Sequence, residues 1–186
     1  MLACIVLSIN QVSGAEELKA TLTFTSNDTW EFPEGSSNSQ TTSASFSDGT
    51  YTITLAAATG YYYNTSGMLM LGKNGSTLTL PAFSWTTTKI VVTGKSGASG
   101  SVGQNIFVGT TAVSTATTGA TGTNTYEINS SYQAAGNVYV LKVTTNHNTQ
   151  ITEIKIYGES GGGTNYTVVY FLHFFLRLSP VRFDTH

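Results

Sequence analysis

Apolar and polar residues alternate one for one along several short segments of the chain. From Leu18 to Thr25 every second residue is apolar, and Lys or Thr fills the positions between. The same alternation runs from Tyr51 to Ala57. A period of two is the signature of a strand with one buried face. No window of ten residues shows a convincing helical period, so the pattern favours a protein built from strands.

Two dipeptides between such segments indicate hairpin turns. Asp48-Gly49 is predicted to join a strand at Ala44–Ser47 to the alternating segment that begins at Tyr51. Asn74-Gly75 is predicted to join Met68–Leu71 to Leu78–Leu80 in the same way.

The remaining strand predictions follow at intervals of roughly 8–12 residues, the spacing that favours a sandwich of two antiparallel sheets. Thr110–Asn124 lacks a clear period and is predicted to be a long loop or a weak hairpin. We expect an all-β, jelly-roll-like sandwich of about nine strands, with 18–25 and 150–157 as neighbours. The further predicted strands are Lys89–Thr93, Asn105–Val108, Tyr126–Ile128, Asn137–Thr145 and Ile151–Tyr157.

The first 15 residues have the pattern of a secretory signal peptide. The apolar run Leu2–Ile9 is followed by small residues at Ser13-Gly14-Ala15 and then by acidic residues. Two alternatives remain open. The run could be a buried first strand or helix, or Leu2-Ala3-Cys4 could be part of a lipoprotein signal. The second is weaker, because the apolar Ile5-Val6-Leu7 stands where a polar tether normally follows.

The last 26 residues differ in composition from the rest of the chain. A Gly161–Gly163 linker precedes a tail rich in aromatic and aliphatic residues. The tail could be the truncated first strand of a next module, out-of-frame sequence, or a segment at a membrane interface, and we favour the first two. The predicted organisation is a signal peptide at 1–15, a β-sandwich domain at 16–160, and a linker with an atypical tail at 161–186.

Charge and cysteine content narrow the classes of function. Charged residues make up 10% of the chain, the net charge is −2, and the eight basic residues are scattered. Nucleic-acid binding normally needs a clustered basic face, so that class is set aside. Cys4 is the single cysteine, so a domain at 16–160 has neither a disulfide nor a cysteine-based metal site.

Catalytic patterns are lacking in the region 16–160. His147 is its one histidine and lies in a polar loop, and no G-x-S-x-G segment supplies a nucleophile. A glycosidase could still use two carboxylates across a cleft. We predict no enzyme activity, no metal and no cofactor.

Aromatic side chains are the remaining candidates for binding. Trp85 lies in the polar segment Ser84–Thr88, Trp30 lies in a polar loop, and Tyr61, Tyr62 and Tyr63 form a run. Adjacent residues of a strand point to opposite faces, so at least one tyrosine should point away from the core. An aromatic ring offers a flat apolar face to the C–H face of a sugar. The alternative is that both tryptophans cap the core.

Five short strand phrases occur along the chain: Thr29–Phe32, Asp48–Ile53, Gly75–Leu80, Thr88–Gly94 and Gln150–Gly158. Together they resemble secreted jelly-roll modules found in large surface proteins of gut bacteria. The resemblance spans roughly 18–158 and implies a non-catalytic, carbohydrate-binding-like module that is often followed by further modules. The chain departs from that pattern after the glycine linker.

Three functions are therefore compared. The first is an extracellular binding or adhesion module, secreted or at the cell surface, monomeric within a longer protein and without a stable membrane span. Its predicted ligand is a polysaccharide or glycoconjugate held by Trp85, Tyr61, Tyr62, Tyr63 and Trp30. The second is a structural spacer, and the third is a glycoside-active enzyme. An exposed aromatic patch would favour a binding module. Buried tryptophans would favour a spacer, and two close carboxylates would favour an enzyme.

Overall fold

A computed structural model of the chain describes residues 14–35, 40–97, 102–118 and 121–159. The predicted signal peptide, apart from Gly14 and Ala15, and the predicted linker and tail lie outside the described residues. The described part contains strands and one short 3-10 turn at Ser130–Tyr132, and no α-helix. The strands are β1 Glu16–Thr23, β2 Ala44–Ser47, β3 Thr52–Ala56, β4 Tyr61–Asn64, β5 Met68–Leu71, β6 Thr77–Thr79, β7 Thr87–Ser96, β8 Gly103–Val108, β9 Thr111–Ala112, β10 Thr117–Thr118, β11 Gly122–Glu127, β12 Tyr139–Val143 and β13 Thr149–Glu159.

The strands form two antiparallel sheets, which confirms the predicted sandwich. Sheet A has the order β11-β7-β13-β5-β4, with β1 also paired to β13. Sheet B has the order β10-β8-β12-β6-β3-β2, with β9 also paired to β8. After β3 most connections cross from one sheet to the other, which gives the winding its jelly-roll character. The described part has 13 strands rather than about nine, partly because Thr110–Asn124 contains β9, β10 and the start of β11.

Strand β13 organises sheet A, because two strands share one of its edges end to end. β5 pairs with its first part, up to Ile151, and β1 pairs with its second part, from Glu153 to Glu159. Thr152 lies at the junction, where its carbonyl oxygen accepts a hydrogen bond from the backbone N–H of Phe24 at 2.7 Å. The pairing of β1 with β13 confirms that 18–25 and 150–157 are neighbours.

The core lies between the sheets, as the alternating pattern requires. One cross-strand row of sheet B consists of Ile106, Leu141, Leu78 and Leu55, all fully buried. Each such side chain contributes about 1.5–3 kcal/mol through removal of its apolar surface from water. Side chains of the adjacent cross-strand row point to the other face of the sheet. This row contains threonines, which therefore lie on the outer face.

One of the two predicted hairpins is confirmed. β2 and β3 pair antiparallel around Asp48-Gly49. The Asp48 carboxylate accepts hydrogen bonds from the backbone N–H groups of Thr50, at 2.8 Å, and Tyr51, at 2.7 Å. Gly49 has a φ of 91°, a conformation that a residue with a Cβ rarely adopts.

The second predicted hairpin is wrong. β5 belongs to sheet A and β6 to sheet B, so Asn74-Gly75 carries the chain from one sheet to the other. The N–H of Gly75 donates to the carbonyl of Val143 at 2.9 Å. A turn signal specifies a local change of direction, whereas the partners of β5, which are β4 and β13, are set by long-range packing.

Candidate functional site

The loop that follows β1 is held by the side chain of Asn27. Its amide nitrogen donates to the carbonyl of Phe32 at 2.9 Å, and its amide oxygen accepts from the N–H of Phe32 at 2.8 Å. This two-sided clamp closes a tight loop over residues 27–32. The loop turns the rings of Trp30 and Phe32 inward, where they stack at 5.5 Å between centroids.

Two of the candidate binding residues lie in the core, which for Trp30 is the alternative that the sequence left open. Trp30 and Tyr61 are each 2% exposed and belong to the core. The indole N–H of Trp30 donates to the carbonyl of Thr23 at 2.9 Å, and the hydroxyl of Tyr61 donates to the carbonyl of Thr42 at 2.8 Å. Since the polar groups are satisfied and the rings are covered, neither side chain has a face available for a ligand.

The chain leaving this loop covers the outer edge of β4. The N–H of Tyr63 donates to the carbonyl of Pro33 at 2.8 Å, and the N–H of Gly35 donates to the carbonyl of Tyr63 at 3.3 Å. Glu34 and Tyr63 therefore form a parallel bridge. This pairing satisfies the backbone at the edge of sheet A, and it places the Glu34 carboxylate next to the tyrosine.

A tight turn at Asn64–Gly67 forms the other side of the site. The N–H of Gly67 donates to the carbonyl of Asn64 at 3.0 Å, and the Asn64 amide oxygen accepts from the N–H groups of Ser66 and Met68. The Asn64 amide nitrogen donates to the side-chain oxygen of Gln150 at 3.1 Å. Asn64 is thus committed to holding the turn, and Thr65 is left exposed beside Tyr63.

These two segments enclose a surface depression of about 450 Å³, which we call the Tyr63 depression. It combines the half-buried Tyr63 side chain with a carboxylate from Glu34 and a hydroxyl from Thr65. Small-ligand sites combine apolar and aromatic side chains with a few placed polar groups, and in this lining Tyr63 supplies the one aromatic ring. The lining residues are Glu34, Gly35, Tyr63, Asn64, Thr65 and Gly67.

The surroundings of the Tyr63 side chain oppose ionisation of its hydroxyl to the phenolate. Burial raises the pKa of Tyr63, and the nearby carboxylates of Asp28 and Glu34 raise that pKa further. The Glu34 carboxylate itself accepts a hydrogen bond from the Asn27 amide nitrogen at 3.3 Å, so the same asparagine braces both the loop and the site.

The other candidates lie elsewhere. Tyr62 is half-buried and pairs with Met70 on β5, and the strand period turns it to the face opposite Tyr61 and Tyr63. Trp85 is also half-buried and stacks on Phe83, with 4.8 Å between ring centroids. Its indole nitrogen is buried without a hydrogen-bond partner in the described part of the chain.

Trp85 and Tyr63 do not form one platform. Tyr63 pairs with Leu69, which pairs in turn with Ile151 of β13. Trp85 lies against Gly158, where an added Cβ would approach its ring to 2.8 Å. Seven residues of β13 separate these two levels, a distance of about 20 Å along the strand. The predicted aromatic residues are therefore divided between separate surfaces.

Sequence reasoning missed Glu34 and Thr65 as neighbours of Tyr63, because nothing in the sequence shows that Pro33–Gly35 pairs with β4. It also missed Phe107, which lies half-buried in the cross-strand row next to the inward-facing Ile106, with the Lys142 ammonium 5.3 Å from its ring centroid. Its neighbours on β12 and β6 are Val140 and Thr79. The available signal for Phe107 was the opposite orientation of adjacent strand residues, which sends Phe107 to the face opposite Ile106.

Within the described ranges, no group of three or more His, Cys, Asp or Glu side chains is arranged to hold a metal ion. No helix in the described part is long and apolar enough to span a membrane.

Comparison of the chain with protein-family models, with curated proteins and with solved structures found no match. The function is therefore argued from the geometry of the Tyr63 depression and from the sequence.

Proposed function

We propose that the domain is a non-catalytic extracellular binding module whose ligand is a carbohydrate seated in the Tyr63 depression. The observation that carries this proposal is the combination, in one cavity, of an aromatic side chain with a carboxylate and a hydroxyl. Tyr63 supplies the aromatic group, Glu34 the carboxylate and Thr65 the hydroxyl.

The chemistry of sugars suits this arrangement. One face of a pyranose ring presents C–H groups that pack on an aromatic ring. Its hydroxyls donate hydrogen bonds, and a carboxylate such as Glu34 accepts them more strongly than a neutral oxygen does. The backbone clamp by Asn27 and the turn held by Asn64 fix both sides of the cavity before a ligand arrives, which reduces the entropic cost of binding.

The sequence supports an extracellular location. The pattern of residues 1–15 is that of an export signal, and the resemblance to surface-protein modules of gut bacteria agrees with a secreted or surface-attached protein. We propose that the domain acts there as a monomeric module that attaches a longer protein to a polysaccharide or glycoconjugate.

A structural spacer is the second candidate, and the burial of Trp30 favours it, because this aromatic side chain serves the core. The path of the chain distinguishes the two functions. A spacer in a row of domains passes the chain from one end to the other, whereas Glu16 at the start of β1 pairs with Glu159 at the end of β13. A chain that enters and leaves at one end suits a module that projects a binding surface.

Affinity electrophoresis against a panel of soluble glycans tests the proposal. Thr65→Arg places a bulky side chain over the depression without touching the core, and should abolish retardation by the glycan that retards the wild type. Tyr63→Ala should do the same through loss of the ring. Ser66→Arg adds the same charge and volume one residue away, outside the lining, and should bind as the wild type does.

Thermal unfolding of each variant separates binding from folding. The two arginine variants should melt within about 2 °C of the wild type, because both positions are exposed. Failure of the wild type to bind any glycan would support the spacer. Retention of binding in Thr65→Arg together with its loss in Trp85→Ala would place the ligand at the other surface.

A further inference from the structure

The segment that supplies the lining of the Tyr63 depression contains no positive side chain. No lysine or arginine occurs between Lys19 and Lys73, a stretch that supplies every residue lining the depression. Three carboxylates fall within seven residues of that stretch, at Asp28, Glu31 and Glu34. The site therefore carries negative charge, and no cationic side chain in its lining balances that charge.

The structure brings two of these carboxylates to the aromatic side chain. Glu34 lines the cavity beside Tyr63, and the charge of Asp28 reaches the same phenol. Their effect on Tyr63 has a definite sign, because both carboxylates oppose formation of the phenolate. A carboxylate or sulfate group on a ligand held against the Tyr63 ring would meet the same repulsion, whereas uncharged hydroxyls would gain a charged acceptor.

We infer that the Tyr63 depression selects neutral glycans and excludes glycans that carry carboxylate or sulfate groups. The inference rests on the proposed function and specifies its class of ligand. Glu34 is the residue that sets this selectivity, since it lines the cavity, its charge reaches Tyr63, and the lining residues include no lysine or arginine to offset that charge.

A matched pair of ligands tests the inference. Neutral glucan, mannan and galactan are each compared with the same polymer oxidised at C6, which adds carboxylates and leaves the backbone unchanged. At low ionic strength the wild type should bind the oxidised polymer at least about tenfold more weakly than the neutral one, a ratio within reach of one like-charge contact near a protein surface. At 0.5 M salt this ratio should fall, because the charges are screened.

Substitutions then assign the effect to the cavity. Glu34→Gln keeps an oxygen acceptor for the Asn27 amide but removes the charge, and should reduce the ratio to about threefold or less. Glu127→Gln removes an exposed carboxylate from β11, at the opposite edge of sheet A, and should leave the ratio unchanged.

Failure of the charge selectivity is distinguishable from failure of the proposed function. Equal or tighter binding of the oxidised polymers, with binding still lost in Thr65→Arg, would overturn the charge selectivity and leave the proposed site intact. A ratio unaffected by Glu34→Gln would overturn the role of Glu34. Absence of binding to every neutral and oxidised polymer would overturn the proposed function, and the selectivity with it.

Discussion

Glu31 has a left-handed backbone, with a φ of 54°, which is uncommon for a residue other than glycine. It lies between Trp30 and Phe32, whose rings both point into the core and stack there. In an extended segment the neighbours of one residue share a face, but the tight loop closed by Asn27 leaves no room for an extended residue at this point. The strain at Glu31, about 1–2 kcal/mol, is the cost of seating both rings.

Replacing this residue tests the strain directly. Glu31→Gly should raise the free energy of unfolding by about 0.5 kcal/mol, since relief of strain outweighs the greater entropy of glycine in the unfolded chain. Glu31→Val should lower it by more than 1 kcal/mol, because a β-branched side chain fits the left-handed region poorly. Urea unfolding measures both changes.

The control for this comparison is Glu127→Gly, at an exposed strand position in β11. It should destabilise by about 0.5–1 kcal/mol, because glycine weakens a strand. If Glu31→Gly destabilised the protein as much as Glu127→Gly does, the loop would not be strained at residue 31.

Sequence reasoning was least successful for single aromatic residues in loops. Trp30 has polar neighbours along the chain, which left a binding role and a place in the core both open, and the hydrogen bonds of Asn27 hold its loop so that the ring is buried. Tyr63 was a candidate from its place in a tyrosine run, and its availability depends on the turn at Asn64–Gly67. Local composition indicates neither burial nor exposure where a side-chain hydrogen bond closes the loop.

Among the elements, β13 was predicted as a strand, and it has three pairing partners, as β8 also has. Its alternation of isoleucines with polar residues marks a half-buried strand, and it pairs with β1, β5 and β7. The partners themselves could not be predicted from local signals, as the failed hairpin between β5 and β6 shows. Strand existence follows from side-chain period, whereas strand pairing depends on residues far apart in sequence.

Glu16 connects the first strand to β7 across β13. Its carboxylate forms an ion pair with Lys89 and accepts a hydrogen bond from the Thr88 hydroxyl at 2.7 Å. The Lys89 ammonium also lies 4.3 Å from the centroid of the Tyr157 ring. The hydrogen bond from Lys89 and then the one from Thr88 hold the pKa of Glu16 below its ordinary value of 4.5.

A lowered pKa in the folded state gives stability that is present above the ordinary pKa and lost as pH falls through the folded pKa. Glu16→Gln should therefore lower the melting temperature by about 1–2 °C at pH 7, a small change because the pair is exposed to solvent. The difference between the two proteins should disappear near pH 2. Thermal unfolding from pH 2 to 7 measures it.

Lys89→Gln provides the control for this prediction. In a Lys89→Gln background the further change Glu16→Gln should have a smaller effect at pH 7, because most of the interaction is already lost. An effect of equal size in both backgrounds would contradict the role of Lys89.

For the whole molecule, the sandwich and the closure of β1 on β13 were predictable from the sequence, and the site was not. The Tyr63 depression joins Glu34 to residues 63–67, which are brought together by a parallel bridge at the edge of sheet A. Trp85 and Tyr63, both candidates from the sequence, lie at different levels of β13 and do not share one surface. Three statements stay predictions: that the chain is related to bacterial surface modules, that it is exported, and that it binds a glycan.

The central claim is that a glycan occupies the Tyr63 depression. It is tested most directly by NMR titration of the ¹⁵N-labelled protein with a neutral glycan that retards it in affinity gels. The account predicts that the amide signals that shift most are those of Glu34, Gly35 and Tyr63–Gly67, with little change near Trp85. Shifts confined to the surroundings of Trp85 or Phe107, or no shift with any neutral glycan, would contradict it.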